Sequence, residues 1–368
     1  MVRMICHRVL PAILLSLISI ACAGQPPSPP SWSFAVSGDS RNCGDVVMPA
    51  IAADAIKHNA AFYWHLGDLR KISGPDQDFV EERTQQGKAT DLADYERHAW
   101  GDFIQNQIKP WGDTPFFLGI GNHETTPPKT RALFVAKFRR YLNRPELKKQ
   151  RLKDNPTAIQ PKTFFHWVRD GIDFIYLDNA TRDQFGPEQM KWIEGVLDHD
   201  SKDESVRTIV VGMHEALPES ISANHSMNEY PSGIKTGRQI YHLLLKVQNE
   251  SHKIVYVLAS HSHFFMEGIF NTPYWKANGG ELPGWIVGTA GAERYPLPPA
   301  SNDAKAAKTN IYGYLVATVN PEGEPPGTIK FKFEELKEDS IPTDVVQRFT
   351  KTFVHECFEG NRRTGPIE

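Results

Sequence analysis

Side chains that can bind a metal ion follow five short apolar runs of this chain. A Gly-Asp pair ends each of the first two runs, an Asn-His pair the third, a histidine the fourth and a His-x-His sequence the fifth. In chain order the candidate ligands are Asp39, Asp68, Asn122, His214, His261 and His263. Open α/β sheets gather their sites at the carboxyl ends of strands, so this repeated pattern predicts that the six side chains share one site.

The types of these side chains indicate which ions they bind. Carboxylate, imidazole and amide oxygen together favour Mn²⁺, Fe or Zn²⁺ over Ca²⁺, which prefers ligands that are all oxygen. Six ligands are too many for one tetrahedral ion, but they suit two ions that share a carboxylate. Such ions lie about 3.5–4 Å apart and stabilise the attacking and leaving oxygens of a phosphoryl displacement. We therefore expect two divalent metal ions and a small phosphate-ester substrate.

The rest of the chain predicts the elements that hold these residues. Short apolar runs alternate with amphipathic segments of helical period, which is typical of α/β layers. Asp170-Gly171 lies between two alternating runs and predicts a hairpin, so some strands are antiparallel. A mixed sheet or two sheets are therefore expected. The basic stretch at 145–162 is expected to be a solvated loop.

The composition indicates a globular protein with a sizeable core. The chain has 368 residues, of which 40% are hydrophobic and 11% aromatic. The formal net charge of −3 predicts no general attraction to nucleic acid or to an anionic membrane, so any affinity for phosphate must be local. The sequence does not indicate an oligomeric state.

The motifs around the candidate ligands resemble those of the calcineurin-like metallophosphoesterases, the group that includes purple acid phosphatases. They occur in that family's order over residues 33–265, each after a strand-like run. The motifs are Gly38-Asp39, Gly67-Asp68, Gly121-Asn122-His123-Glu124, Val211-x-x-His214 and His261-x-His263. The resemblance implies an α/β fold, a four-layer α/β/β/α sandwich of two mixed β-sheets flanked by helices.

The resemblance also implies a role for each ligand. Asp68 would bridge the two ions, and Asp39 and His263 would bind the first ion. The second ion would be bound by Asn122, His214 and His261. His123 would face the substrate and stabilise or protonate the leaving oxygen. The implied reaction is hydrolysis of a phosphate mono- or diester, with a metal-bound hydroxide as the nucleophile.

The chain departs from the family at the first motif. Family members commonly have Asp-x-His there, and this chain has Arg41 in the place of the histidine. Purple acid phosphatases supply a tyrosine three residues after the bridging aspartate, where this chain has Lys71. The first ion would therefore keep only Asp39, Asp68 and His263 as protein ligands.

Arg41 and His225 are the further candidates for contact with the substrate. The planar fork of Arg41 suits a bidentate contact with phosphate, and the alternative is that Arg41 pairs with a neighbouring carboxylate. His225 follows His214 by 11 residues, a distance similar to that of the substrate-facing histidines of purple acid phosphatases. A surface-loop histidine is the alternative for His225.

Two other functions stay open. The missing ligand at Arg41 favours a binding protein that has the metallophosphoesterase fold but is catalytically impaired. A hydrolase with one metal ion is the other hypothesis, and the number of ions per chain would distinguish it.

The N-terminal residues predict export. Arg3 and Arg8 precede an apolar stretch that is too short for a spanning helix. Ala21-Cys22-Ala23 is a small-residue cleavage site. We therefore expect a signal peptide at 1–23, a proline-rich linker at 24–32, and a secreted or periplasmic protein with no transmembrane span. A lipid anchor on Cys22 is the alternative.

The mature chain is expected to hold a metallophosphoesterase domain at 33–340 and a C-terminal extension at 341–368. Cys43 and Cys357 are the cysteines that lie outside the predicted leader. In an oxidising compartment they predict a disulfide between the extension and the loop after the first strand. Two separate buried thiols are the alternative.

Overall fold

Two β-sheets form the centre of the protein. The computed structural model describes residues 29–181, 184–222 and 225–365. The predicted signal peptide and Cys22 lie outside the described residues. Within the described part of the chain, one sheet has five strands and the other has seven.

The strands follow the apolar runs of the sequence, and the first begins at the last residue of the predicted linker. In chain order they are β1 (Trp32–Ser37), β2 (Ala60–His65), β3 (Phe116–Leu118), β4 (Phe165–Arg169), β5 (Ile172–Leu177), β6 (Thr208–Met213), β7 (Ile254–Ala259), β8 (Phe265–Glu267), β9 (Gly284–Val287), β10 (Ala306–Lys308), β11 (Tyr312–Val319) and β12 (Ile329–Leu336).

The helices lie between the strands and after the last one. They are α1 (Gly44–Lys57), α2 (Gln77–Gln85), α3 (Leu92–Phe103), α4 (Arg131–Lys137), α5 (Arg139–Leu142), α6 (Pro145–Asp154), α7 (Pro187–Lys202), α8 (Pro231–Ser251), α9 (Pro273–Ala277) and α10 (Thr343–Glu359). Short π and 3₁₀ segments cover Ile104–Ile108, Lys109–Trp111, Asn122–Thr125, Pro299–Asp303 and Glu338–Ser340.

The five-stranded sheet has the order β12-β11-β1-β2-β3. Strands β1, β2 and β3 are parallel, whereas β11 and β12 are antiparallel to their neighbours. The pairing of β1 with β11 joins Trp32 to Val319, so the two ends of the domain meet in one sheet. The parallel strands bring their carboxyl ends to the same edge.

The seven-stranded sheet has the order β10-β8-β9-β7-β6-β5-β4. Strands β5, β6, β7 and β9 are parallel, and β4, β8 and β10 pair antiparallel. The predicted hairpin at Asp170-Gly171 is confirmed. Both residues have positive φ, 52° and 80°, as a two-residue turn that follows the strand twist requires.

Alternate side chains of β5 show how the layers form. Phe174 and Tyr176 face the five-stranded sheet and belong to the core between the sheets. Ile175 and Leu177 face the opposite way and pack with apolar residues of α7 and α8. Because strand side chains alternate in direction, an apolar run without polar interruptions is buried on both faces.

Aromatic side chains fill the space between the sheets. Phe34 and Phe62 each lie edge-on to Phe174, with ring centroids 5.3 Å apart. Phe117 stacks on Trp167 at 4.1 Å. These rings are buried, and such pairs stabilise a core beyond the area that they bury.

Helix α1 covers the outer face of the five-stranded sheet, and α10 packs against α1. The predicted disulfide is confirmed: Cys43 and Cys357 are bonded, at a sequence separation of 314. It joins the residue before α1 to α10, which lies in the predicted C-terminal extension. Helices on both outer faces complete the predicted four-layer α/β/β/α arrangement, which is confirmed.

One prediction about the chain outside the sheets is wrong. The basic stretch at 145–162 was expected to be a loop, but Pro145–Asp154 forms α6. Proline at the first helical position and many Lys, Glu and Leu residues favour a helix, and Leu147 and Gln150 are buried against the domain. Every helix in the described part of the chain is too short or too polar to cross a membrane.

Candidate metal centre

The candidate ligands lie where the carboxyl ends of both sets of parallel strands meet. Strand β1 leads to Asp39, β2 to Asp68 and β3 to Asn122, from the five-stranded sheet. In the seven-stranded sheet β6 leads to His214, and β7 leads to the His-x-His motif. Residues that are far apart in sequence, and that belong to different sheets, therefore lie together at the carboxyl ends of the parallel strands.

Three of the ligand residues have a backbone conformation that side chains rarely adopt. The φ angles of Asp39, Asp68 and His261 are 61°, 59° and 66°. Left-handed conformations are enriched for Asp and His but still cost free energy, and they cluster at functional sites. Each strand thus turns sharply just where its ligand must point into the centre.

Glycines allow the second and third motifs to approach closely. A Cβ on Gly121 would lie 2.3 Å from Oδ1 of Asp68. Gly67 has a φ of 100°, and a Cβ there would lie 2.6 Å from the backbone nitrogen of Gly121. Neither position can take a larger residue without moving Asp68 or its loop.

Three donor atoms surround Nε2 of His214. It lies 2.9 Å from Oδ1 of Asn122, 3.0 Å from Nδ1 of His261 and 3.3 Å from Oδ1 of Asp68. Nδ1 of His214 lies 3.1 Å from the backbone oxygen of Leu66 and can donate its proton there. That hydrogen bond leaves Nε2 as the ligand atom.

This donor set fits a divalent ion. Ligand atoms that each lie about 2.1 Å from an ion are about 3 Å from their neighbours, which is the spacing observed around His214. Asp68, His214 and His261 are buried, and a cation among their donor atoms and Oδ1 of Asn122 would offset the cost of burying these polar groups. The ion would have as ligands Asp68, Asn122, His214 and His261.

The electrostatics of the donor set also favour a cation. Burial disfavours the charged form of His214, but the Asp68 carboxylate outweighs it and raises the pKa of His214 to about 9. Burial alone would raise the pKa of Asp68, but His214, His123 and Arg41 hold it well below its usual range. Asp68 is therefore an ionised carboxylate with no exposure to solvent.

The guanidinium of Arg41 lies among the atoms predicted to bind the first ion. Nη2 lies 2.8 Å from Nε2 of His263, and Nη1 lies 3.7 Å from Oδ2 of Asp68. Nη1 also contacts Nε2 of His123. Burial disfavours the charge of Arg41, but the pKa is raised, chiefly by Asp68. The guanidinium lies near the Asp68 carboxylate, and its contact with phosphate stays a prediction.

Asp39 and His263 lie next to this guanidinium. Nδ1 of His263 donates to the backbone oxygen of Glu293 at 2.5 Å, so Nε2 faces Arg41 and lies 3.3 Å from Oδ1 of Asp39. The other carboxylate oxygen of Asp39 accepts the backbone N–H of His261 at 2.6 Å. Burial and then the charge of Arg41 lower the pKa of His263, which keeps this imidazole neutral.

Two solved structures have a similar fold. Purple acid phosphatase PPD1 isolated from yellow lupin (Lupinus luteus) seeds matches with a TM-score of 0.55 and 14% identity, over 84% of this chain and 53% of that one. PhoD matches with a TM-score of 0.52 and 15% identity, over 90% of this chain and 78% of that one. This chain has the calcineurin-like metallophosphoesterase fold. It spans about half the length of the lupin protein. No protein-family model and no curated protein matches it.

Within this fold, His123 lies beside Asp68 and is partly exposed. Its backbone N–H donates to Oδ1 of Asp68 at 3.0 Å, and its Nδ1 contacts the backbone oxygen of Lys71. Nε2 therefore points into the centre, toward Arg41. Burial and then the charge of Arg41 lower the pKa of His123 to about 4.

Glu124 holds the loops of the candidate metal centre together. Its carboxylate accepts the backbone N–H groups of Asp68, Leu69 and Gly121 at 2.9, 3.0 and 2.9 Å. Burial and then the charge of Asp68 raise the pKa of Glu124 to about 8. Its contacts are those of a residue that orients the loop of Asp68.

His225 lies at the mouth of the centre. Its ring stacks on His261 with centroids 4.1 Å apart, and its Nδ1 lies 3.4 Å from Oε1 of Glu229. Both His225 and Glu229 line an open cavity of about 360 Å³ that Asn122, Thr125 and His261 also line. The cavity therefore reaches two ligands of the fitted donor set.

Two residues of the centre were not predicted from the sequence. Tyr295 stacks on His263 with centroids 4.0 Å apart, but it lies in a loop after β9 with no recognisable motif. Glu229 follows His225 by four residues, a spacing that would place both side chains together only if the loop turned. Tertiary contacts bring both residues to the centre.

Proposed function

We propose that this chain is an exported, metal-dependent phosphoesterase that hydrolyses a phosphate mono- or diester. The observation that carries the proposal is the convergence of four donor atoms, from both sheets, on one position in a metallophosphoesterase fold. Asp68, Asn122, His214 and His261 would hold a divalent ion there. When bound, such an ion activates water near neutral pH and neutralises charge on the phosphoryl oxygens.

The residues around the donor set supply the remaining functions. The cavity that reaches Asn122 and His261 gives the substrate access to the ion. The guanidinium of Arg41 contributes a fixed positive charge where negative charge develops. His123 directs Nε2 into the same space and is positioned to act on the leaving oxygen.

Export is supported by the chemistry of the chain. The N-terminal residues have the pattern of a cleaved signal peptide, and the mature chain holds a disulfide between Cys43 and Cys357. Disulfides form and persist in oxidising compartments. Both observations support the proposal of a secreted or periplasmic location.

The proposal is tested by hydrolysis of p-nitrophenyl phosphate and bis-p-nitrophenyl phosphate. The mature protein is stripped with a chelator, assayed, and assayed again with Mn²⁺, Fe²⁺ or Zn²⁺ restored. We expect turnover that chelation abolishes and metal restores, and an Asp68→Ala variant that stays inactive with metal. Failure of the folded, metal-loaded protein to hydrolyse either ester or a panel of natural phosphate esters would contradict the proposal.

A phosphate-binding protein without turnover is the second candidate. It is favoured by one observation, the contact of Arg41 with the donor atom of His263. Tight binding of inorganic phosphate by a metal-loaded chain that hydrolyses no ester would support this candidate.

A further inference from the structure

The Nε2 atom of His263 has one lone pair; this atom faces Arg41 and also lies 3.3 Å from Oδ1 of Asp39. Nδ1 donates to the backbone oxygen of Glu293 at 2.5 Å, so the lone pair is on Nε2. Nη2 of Arg41 lies 2.8 Å from that nitrogen. An ion bound to Nε2 would lie about 2.0–2.1 Å from it, in the space that the guanidinium fills. The single lone pair cannot accept a hydrogen bond from Arg41 and bind an ion at the same time.

Arg41 already places one positive charge beside the carboxylates of the first-ion position. Asp39 and Asp68 are fully buried carboxylates, and the guanidinium lies against Asp68 with Nη1 3.7 Å from Oδ2. A divalent ion next to a buried guanidinium would be strongly repelled, because like charges in a low-dielectric site are not screened. Arginine cannot relieve this by losing its proton.

The loop that carries Arg41 is held at several points. The backbone N–H of Asn42 donates to Asp76 at 2.7 Å, and that of Cys43 donates to Gly291 at 3.1 Å. Cys43, two residues after Arg41, is also fixed by its disulfide. Arg41 itself is only 8% exposed, so its side chain does not leave the centre without moving this loop.

We propose that the Arg41 guanidinium permanently replaces the first metal ion, so that the chain binds a single divalent ion. This inference rests on the proposed function for the ion at Asp68, Asn122, His214 and His261. It changes the count of ions from the two that the sequence predicts to one. The second positive charge of the centre is then part of the polypeptide and does not depend on metal supply.

The test counts ions on the full mature chain. The protein is stripped with a chelator, loaded with excess Mn²⁺, desalted, and analysed for Mn²⁺ per chain by mass spectrometry and for Mn–Mn spin coupling by electron paramagnetic resonance. We expect one uncoupled Mn²⁺ per wild-type chain, and two coupled ions in Arg41→His, which restores an imidazole and removes the guanidinium. Two ions in the wild type, or one in a folded Arg41→His, would overturn the inference.

A second variant keeps the test decisive if Arg41→His fails to fold. His263→Gln should keep one ion, because the Nε2 of His263 serves Arg41, whereas a centre with two ions would lose one. The matched control Asn122→Ala should lose the ion that the fitted donor set holds. A lower number of ions per chain in His263→Gln than in the wild type would overturn the inference.

The number of ions per chain and the hydrolysis assay test the two proposals independently. One Mn²⁺ per chain without turnover supports the inference and contradicts the phosphoesterase proposal. Two ions with turnover overturn the inference and leave the phosphoesterase intact. A wild-type chain that binds no Mn²⁺ overturns both.

Discussion

Oδ1 of Asn122, at the end of a strand in the five-stranded sheet, lies 2.9 Å from Nε2 of His214, at the end of a strand in the seven-stranded sheet. Each sheet therefore supplies one side of the donor set. The geometry of the ion site depends on how the two sheets pack, and the aromatic core between them fixes that packing. A ligand substitution removes a donor without disturbing this core, so its effect on metal binding can be measured in a folded protein.

Two substitutions of Asn122 should distinguish the contribution of its oxygen ligand from that of the rest of the side chain. Asn122→Ala removes the oxygen ligand, and we expect metal affinity to fall by at least about 100-fold, because even partners of ligands contribute 10–100-fold. Asn122→Asp keeps an oxygen at the same place and should retain the ion. Isothermal titration with Mn²⁺ measures both. Equal affinity of Asn122→Ala and the wild type would remove Asn122 from the site.

Replacing His123 should slow the reaction without removing metal. Nε2 of His123 faces the centre but is not part of the fitted donor set, so His123→Ala should keep the ion. Turnover should fall by roughly 10²–10⁴, the range for a lost general acid. This role requires the negative charge of the bound ester to raise the lowered pKa of His123, so that Nε2 carries a proton during the reaction. The loss should be greater for an alkyl phosphate than for p-nitrophenyl phosphate, because p-nitrophenolate leaves without a proton. His98→Ala, on an exposed face of α3, is the control. An equal loss on both esters would contradict a role for His123 at the leaving oxygen.

The disulfide should contribute measurably to stability. It closes a loop with 314 residues of sequence separation, and removing such a bond typically lowers the free energy of unfolding by about 2–5 kcal/mol. We expect the double variant Cys43→Ser, Cys357→Ser to unfold at lower urea than the wild type. Addition of a reductant should shift the wild type toward the variant and leave the variant unchanged. A wild type that is insensitive to reductant under unfolding conditions would contradict this expectation.

Local signals made much of the fold predictable. The hairpin at Asp170-Gly171 needs only two residues that tolerate positive φ, and the strands needed only apolar runs bounded by turns. Strand order could not be predicted in this way, because β11 pairs with β1 from the other end of the domain. The helix at Pro145–Asp154 was missed because a run of charges was taken as evidence for a loop. Its buried positions depend on a tertiary contact.

The site was predictable to a similar extent. Ligands directly after strand ends could be found because the strand and the residue type are both local. The position of the Arg41 guanidinium could not, since it depends on His263, 222 residues further along. No sequence pattern marked Tyr295 either, because its place in the centre depends on a tertiary contact with His263. Sequence thus identifies the donors, and the packing of the two sheets decides which donors are left for a metal ion.

A buried histidine far from the metal centre should make stability depend on pH. His166 donates from Nδ1 to Asp173 at 2.6 Å and from Nε2 to Asp154 at 2.8 Å. Burial disfavours its charge, but the carboxylates, Asp173 first, raise the pKa of His166 to about 10. Its ordinary pKa is about 6.5. The folded pKa is the higher one, so the imidazolium contributes its full stability below about pH 6.5 and loses it as pH rises through about 10.

His166→Gln should therefore lower the free energy of unfolding most in mildly acidic solution. Removing one partner of a buried charged pair lowers the free energy of unfolding by about 3–5 kcal/mol. Urea denaturation of both proteins at pH 6, 8 and 9.5 measures the cost, which should shrink as pH rises, by at most about 1.4 kcal/mol per pH unit. Asp200 also titrates in this range, since burial and Asp173 raise its pKa to about 9, but it is present in both proteins. A cost that stays constant from pH 6 to 9.5 would mean that His166 is not charged in the folded protein.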